Sequence, residues 1–468
     1  MINDIPEKCF TLVVGLGNTG LSCARFLARN AIPFVVTDTR QNPPMLGQLH
    51  KECPDVRVFL GTMDAIPSLM FDRVEQVVVS PGVPLSEPVI AAAMARGIPV
   101  LGDIELFARR VQAPIIAITG SNGKSTVTTL VGEMARQAGH RVAVGGNLGT
   151  PALDLLGGPT AELYVLELSS FQLETTHTLH AQAAVVLNLS SDHLDRHGTM
   201  AHYASLKQRI YRGSGTMVVN ADDPLVEAMA DPARSTCRFT LGEPRSAGDY
   251  GVRSGQWIVR GETPILACSE VRIPGRHNLA NALAALALAE ATGVPMAACV
   301  ETLRTFAGLP HRCQFVAASG GITWYNDSKG TNVGATEAAC RGLSGPLLVI
   351  LGGQGKGQDF TPLRAALEDK ARAVILIGED AHKIRTALTG VAPLLDAPDL
   401  RTAVEQAQAL AQTGDNVLLS PACASFDMFR NYVDRGECFV REVQRAVDFQ
   451  LAPPRRGGVG EGSVLVLT

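Results

Sequence analysis

Short apolar runs alternate with mixed, helix-length segments along almost the whole chain. The runs at 10–14, 33–37, 56–59 and 76–79 are rich in β-branched and aromatic residues and have the length of buried strands. Helices are predicted from about residue 18 to 29 and over 87–96, with a short strand near Val100. The alternation resumes at 115–118. Strands are predicted at 141–144, 164–168 and 184–189, and helices at 127–138, 200–211, 277–290 and 296–306. Residues 216–271 read as short strands and turns. After a natural linker at 308–312, strands at 322–325, 346–351, 373–377 and 416–419 alternate with helices from Val333 and over 362–367.

Strand-then-helix alternation of this kind predicts parallel sheets covered by helices, an α/β protein. A chain of 468 residues has room for about three domains. The boundaries expected are 1–109, 110–309 and 310–452, with 453–468, carrying two arginines and four glycines, as a disordered tail. Apolar residues make up 46% and charged residues 18%, with a net charge of -4. That excludes a disordered chain and a nucleic-acid-coating surface. The ten cysteines form no CxxC pair and read as reduced thiols. The N-terminus has no basic, apolar leader and no apolar run approaches about 18 residues, so a cytoplasmic protein is expected.

The chemistry centres on Gly120-Ser121-Asn122-Gly123-Lys124-Ser125-Thr126, which follows the apolar run 115–118 and opens a helix-compatible segment. This is the strand–loop–helix grammar of a phosphate-binding loop, two residues shorter than the usual spacing. Its glycines let backbone N–H groups turn onto a phosphate, Lys124 reaches the β- and γ-phosphates, and Ser125 can ligate Mg²⁺. A Gly/Ser turn that merely starts a helix is the alternative; strand, glycines, lysine and hydroxyls all in order disfavour it. Glu167 lies near the end of a buried-strand pattern, where an unpaired carboxylate is costly, so Mg²⁺ is its expected partner. Gly15-Leu16-Gly17-Asn18-Thr19-Gly20, with Asp38 about 20 residues on, is a nominal dinucleotide fingerprint. The narrower reading is a tight turn that suits a diphosphate, with Arg40 as an anion partner. Ser80-Pro81-Gly82 sits at another strand end. The loops beginning at Asp327, Gly352 and Ser420 all follow predicted strands and should converge on one sheet edge. Histidines in a loop and a lone lysine on a helix, as at Lys207, are ordinarily solvated.

Nine separated motifs, among them TGSNGKST at 119–126, ELSSFQLE at 167–174, NLSSDHLDRH at 188–197, NDSKGTN at 326–332 and SPACASFD at 420–427, resemble those of the Mur ligases. The DSKGTN and SPACAS stretches look like the glutamate-adding branch. The resemblance covers roughly residues 8–450. It implies a Rossmann-like UDP-binding domain, a central P-loop ATPase-type domain and a Rossmann-like C-terminal domain. It further implies ATP-dependent ligation of D-glutamate to UDP-N-acetylmuramoyl-L-alanine through an acyl phosphate and a tetrahedral intermediate.

Carried over residue by residue, the resemblance assigns 120–126 to the ATP phosphates. Ser125 and Glu167 are assigned to one Mg²⁺, and His193 to a second. Lys207 is the lysine that the family carbamylates to make a metal ligand. Asn278, Asn281, Arg312, Asp327 and Lys329 match nucleotide-contacting or closure residues. Thr331, Lys356, Ser425 and Tyr432 match the D-glutamate pocket. Asn18, Thr19, Asp38, Arg40, Ser80, Pro81, Gly82 and Asn147 match the UDP-substrate site. Small-molecule substrates, two Mg²⁺ ions and a monomer acting away from membranes are expected. Three positions depart from the family pattern: Gln354, Gln314 and Tyr432 stand where an acidic residue, Glu and Phe are usual. The competing readings are another amide ligase of the superfamily, an NAD-dependent oxidoreductase built on 15–38, and a nucleotide-regulated binding protein.

Overall fold

The computed structural model describes residues 9–61 and 68–451. The N-terminal stretch read as lacking a leader and the tail expected at 453–468 lie outside the described residues. The chain divides into two compact units, Met1–Gly308 and Leu309–Thr468.

The first unit holds two sheets. In one, parallel strands run in the order Arg57–Leu60, Phe34–Asp38, Phe10–Val14, Val74–Val79, Val100–Leu101. The strand order reverses beside Phe10–Val14, and ligands bind open α/β sheets at such a point. The helix Asn18–Arg29 buries Leu21, Ala24 and Leu27 against this sheet. The second sheet has nine strands. Ile115–Thr119 lies between Leu163–Glu167 and Ala183–Val186, all parallel. These strands are buried on both faces, which explains their unbroken apolar runs. Beyond Thr236–Phe239 the sheet ends in the antiparallel strands Tyr250–Arg253, Trp257–Arg260 and Thr263–Ala267. The helices Lys124–Gln137 and Arg276–Ala291 pack on one of its two apolar faces.

The second unit has a six-stranded sheet in which Ile322–Asn326, Asn416–Leu419 and Leu347–Gly352 are parallel neighbours. Its antiparallel edge strand Gln314–Ser319, the short strand Leu394–Asp396 and the helix Tyr432–Leu451 were not evident from the sequence pattern, nor was Leu46–Glu52 in the first unit. Among the described residues, no helix is long and apolar enough to cross a membrane.

Candidate active site

The strand Ile115–Thr119 delivers the phosphate loop. Gly120 and Gly123 take φ of 151° and 84°, which other residues adopt only under strain. Left-handed Gly123 lets the helix start at Lys124, three residues before the apolar periodicity suggests. The loop is braced by Asn188, from the neighbouring strand end. Its Oδ1 accepts from Asn122 N (2.8 Å), its Nδ2 donates to Asn122 O (3.1 Å), and its carbonyl accepts from Ser121 N (2.9 Å). Lys124 folds back so that Nζ donates to the carbonyls of Gly120 (2.9 Å) and Ser121 (2.8 Å). Ser125 and Thr126 are buried. Asn281 lies directly beside Gly123, and donates to Asn278 Oδ1 (3.2 Å).

Glu167 closes the adjacent strand and is buried. Asn147 Nδ2 donates to its Oε1 (2.7 Å), while Oε2 is buried with no hydrogen-bond partner. A buried carboxylate oxygen left this way is costly, and a cation would satisfy it. His193 takes φ of 54°, a strained backbone of the kind found at functional sites, with Nε2 3.7 Å from Asp192 Oδ2.

Lys207 is not the solvated side chain that a lone helical lysine suggests. It is fully buried, and Nζ donates to Gly120 O (2.9 Å) and Thr119 Oγ1 (3.2 Å). Burial, and then the Lys124 ammonium, hold its pKa well below that of an ordinary lysine. His197 is likewise no loop histidine. It is buried against Phe171 and Tyr203 and shares a 3.0 Å hydrogen bond with Ser170 Oγ. Burial and neighbouring cationic groups lower its pKa to about 4.

Asn18, Thr19, Asp38, Arg40, Ser80, Pro81, Gly82 and Asn147 all line one cleft of about 540 Å³ between the two sheets of the first unit. Ser80 Oγ donates to Gly15 O (2.8 Å), tying the two loops at the reversal point. Asp38 already accepts four hydrogen bonds, one from Leu16 N and three from Arg40. Burial raises its pKa, but those donors outweigh it and hold the carboxyl below its ordinary value. With its acceptor sites filled, Asp38 orders the glycine turn and has no lone pair left for a ribose hydroxyl. That removes the physical basis for the dinucleotide reading.

In the second unit the three loops converge. Gln354 and Ala424 exchange backbone hydrogen bonds (3.0 and 2.9 Å), and Ala422 N donates to Gly330 O (2.9 Å). Lys356 takes φ of 52°, and Ser425 is buried. Thr331 precedes Asn332, whose Oδ1 caps the helix Val333–Gly342. Tyr432 opens the last helix, with Lys329 Nζ 3.9 Å from its ring centre. Asp327 is buried and accepts from Ser420 Oγ (2.7 Å) and Cys313 N (3.1 Å). Burial pushes its pKa up to about 6. Arg312, Asp327 and Lys329 thus belong to the second unit, and the phosphate loop to the first.

Sequence reasoning missed the residues that hold these groups in place. Asn188, Thr119 and Tyr203 brace the loop and Lys207. Buried Arg435 donates to the carbonyls of Ser328, Cys423 and Ala424, joining two of the convergent loops. Asn188 is a polar residue inside the predicted strand 184–189, which could have marked it, and the observed strand stops at Val186; nothing in the helical pattern singles out Arg435.

Three family models match in order: "Mur ligase MurD-like, N-terminal domain" over 9–102, "Mur ligase middle domain" over 118–289 and "Mur ligase, glutamate ligase domain" over 311–423. The chain is 55% identical to the UDP-N-acetylmuramoylalanine–D-glutamate ligase of Nitrosococcus oceani over 447 residues, 94% of this chain and 98% of that protein. The Pseudomonas fluorescens protein of the same name is 51% identical, with 94% and 99% covered. Among solved structures, the UDP-N-acetylmuramate-alanine ligase MurC of Thermotoga maritima superposes with a TM-score of 0.58 at 18% identity, covering 93% of this chain and 99% of that one.

Proposed function

Since this chain belongs to the Mur ligase family, we propose that it joins D-glutamate to UDP-N-acetylmuramoyl-L-alanine at the expense of ATP, in the cytoplasm, for peptidoglycan precursor synthesis. The carrying observation is the arrangement around Gly120: a braced phosphate loop, two lysine side chains converging on its carbonyl, and Glu167 with one buried oxygen unpartnered on the next strand. No dehydrogenase needs that set.

A carboxylate is a poor acyl donor. Transfer of the γ-phosphoryl group makes a new O–P bond at the L-alanine carboxylate and breaks the β–γ bridge, releasing ADP. The D-glutamate amine then attacks the acyl carbon, loses a proton, and the tetrahedral intermediate expels phosphate. Backbone N–H groups of 120–126 and the helix start at Lys124 cradle the phosphates. Lys124 swings from its loop carbonyls to the transferring phosphoryl group and offsets its charge. Asn278 and Asn281 border the nucleotide; Arg312, Asp327 and Lys329, which belong to the second unit, keep the nucleotide-contacting or closure roles that the family resemblance gives them.

The residues present fit a metal: Glu167 offers an unpartnered carboxylate oxygen, Ser125 a hydroxyl and His193 an imidazole. Bound Mg²⁺, two ions in this reading, supplies charge neutralisation at the phosphates. Lys207 carries a carbamate. Its amine attacks the carbon of CO₂ and sheds a proton, which burial of the ammonium favours, and the product is an anionic ligand. A carbamate there would add an anionic donor beside Glu167.

Asn18, Thr19, Arg40, Ser80, Pro81, Gly82 and Asn147 border the UDP-sugar in the cleft, with Asp38 ordering its turn. Thr331, Lys356, Ser425 and Tyr432 hold D-glutamate, Lys356 pairing with a substrate carboxylate.

The test is phosphate release from Mg-ATP with UDP-N-acetylmuramoyl-L-alanine across a panel of D- and L-amino acids. Release with D-glutamate alone is expected. Release with a different amino acid keeps the chemistry and overturns the assignment of the second unit's pocket.

A further inference from the structure

The short helix Asp103–Ala108 ends the first domain and plugs into the segment that follows Glu167. Glu105 is buried there and caps the backbone N–H groups of His177 (2.7 Å) and Thr178 (2.9 Å). Asp103, also buried, makes one side-chain hydrogen bond: its Oδ2 accepts from Gln172 Nε2 at 3.0 Å. Its Oδ1 is buried without a partner. Gln172 is a member of the cleft wall described above, although only 3% exposed.

The amide of Gln172 has one possible orientation. Ser169 N is a donor and contacts the amide at 3.1 Å, with Ser169 Oγ at 3.2 Å, so the oxygen Oε1 must face them. Nε2 therefore faces Asp103. One of its two N–H bonds is spent on that carboxylate. Among the described residues, no acceptor meets the other.

We infer that Asp103 is a positioning residue that locks the Gln172 amide so that its second N–H is presented to the substrate in the cleft. The inference rests on the proposed ligase function and adds a residue to its substrate recognition. Gln172 shares the cleft wall with Asn147, which bonds Glu167, so the N–H serves the reacting, sugar-peptide end of the ligand. An oxygen acceptor, a carbonyl or sugar oxygen, is its partner. Gly15, Gly17 and Ser80, at the strand ends of the five-stranded sheet, line the part of the cleft that the proposed function gives to the uridine diphosphate. The carboxylate form of Asp103 accepts only, so it cannot tolerate the flipped amide.

The experiment measures dissociation constants by calorimetry on the full chain for UDP-N-acetylmuramoyl-L-alanine, UDP alone and ATP. The variants are Asp103→Ala, Asp103→Asn, Gln172→Met and the Asp103→Ala/Gln172→Met pair. Asp103→Ala and Gln172→Met are each expected to weaken the full ligand about tenfold, the worth of one hydrogen bond. UDP alone and ATP should move by less than about twofold, and the pair should be no weaker than Gln172→Met. Asp103→Asn, which keeps an acceptor for Nε2, should stay within about threefold of the parent. Equal weakening of UDP alone, unchanged binding of the full ligand, or additive losses in the pair overturns the inference. Should Asp103→Ala not fold, Asp103→Ser takes its place with the same expectation. If the parent chain binds none of the UDP ligands, the proposed function itself falls; if it binds them and the Asp103 variants do not discriminate, only this inference does.

Discussion

Lys124 and Lys207 donate to the same carbonyl oxygen, that of Gly120, each at 2.9 Å. Two cations on one acceptor would repel each other, and that repulsion together with full burial favours the neutral amine at Lys207. On the proposed ligase function, an ATP phosphate would draw Lys124 away, and carbamylation would give Lys207 a negative charge.

Lys124→Ala should reduce phosphate release by about a thousandfold or more, the scale seen when a preorganised charge is removed from a transition state. Folding should be intact, because the hydrogen bonds from Asn188 still brace the loop once the two Lys124 contacts are lost. A steady-state phosphate assay beside a thermal melt checks both; near-normal kcat refutes the role.

Lys207 should show stability and activity pulling apart. Its folded pKa lies below its unfolded value, so at neutral pH the unfolded chain binds more protons and burial costs stability. In CO₂-free buffer, Lys207→Met should therefore melt higher than the parent at pH 7. The gain should shrink as pH rises towards about 10.4, where unfolded lysine also loses its proton. Turnover should be lost in Lys207→Met. In Lys207→Ala, a small carboxylate such as formate should restore part of it; failure of rescue counts against the carbamate.

Glu167→Gln should raise the Mg²⁺ concentration needed for half-maximal activity by at least about tenfold. It should leave the fold unharmed, since an amide oxygen can still accept from Asn147. A Mg²⁺ titration at saturating ATP measures it, and an unchanged requirement would remove Glu167 from the metal site.

Asp327 gives a pH dependence of the opposite sign to Lys207. Burial raises its folded pKa to about 6, so its contribution to stability is complete below the unfolded value near 3.8 and is lost as pH rises through about 6. Asp327→Asn should melt close to the parent at pH 4 and higher at pH 7, by up to about 3 kcal/mol. Chemical denaturation at several pH values reads this directly. A pH-independent difference would show that the carboxyl ionises freely when folded.

The sheets and their ligand-bearing edges were legible because buried parallel strands leave unbroken β-branched runs. The phosphate loop and the cleft residues follow from where those strands stop. Lys207 was illegible as a site in its own right because its helix has apolar and polar residues on every side. Its burial depends on Thr119 and Gly120, far away in sequence. The edge strand Gln314–Ser319 escaped because its apolar run, Phe315 to Ala318, is short and partly turned outward, with Phe315 and Ala318 exposed. Arg435 is buried by contacts to carbonyls, which leave no trace in residue type. Asp103 sat in a stretch that reads as the end of a domain, and its partner Gln172 comes from the helix Ser170–Glu174, far along the chain.

The amide of Asn188 gives the backbone of Asn122 both a donor and an acceptor, as a neighbouring strand would. The tip of the phosphate loop is therefore already set before any nucleotide arrives. Ordering entropy, normally charged to the ligand on arrival, is met once during folding. A change at Asn188 should thus surface as a slower, entropically penalised capture of ATP, although this side chain makes no claim on a phosphate. The affinity of such a loop is written partly in residues that a map of ligand contacts would leave blank.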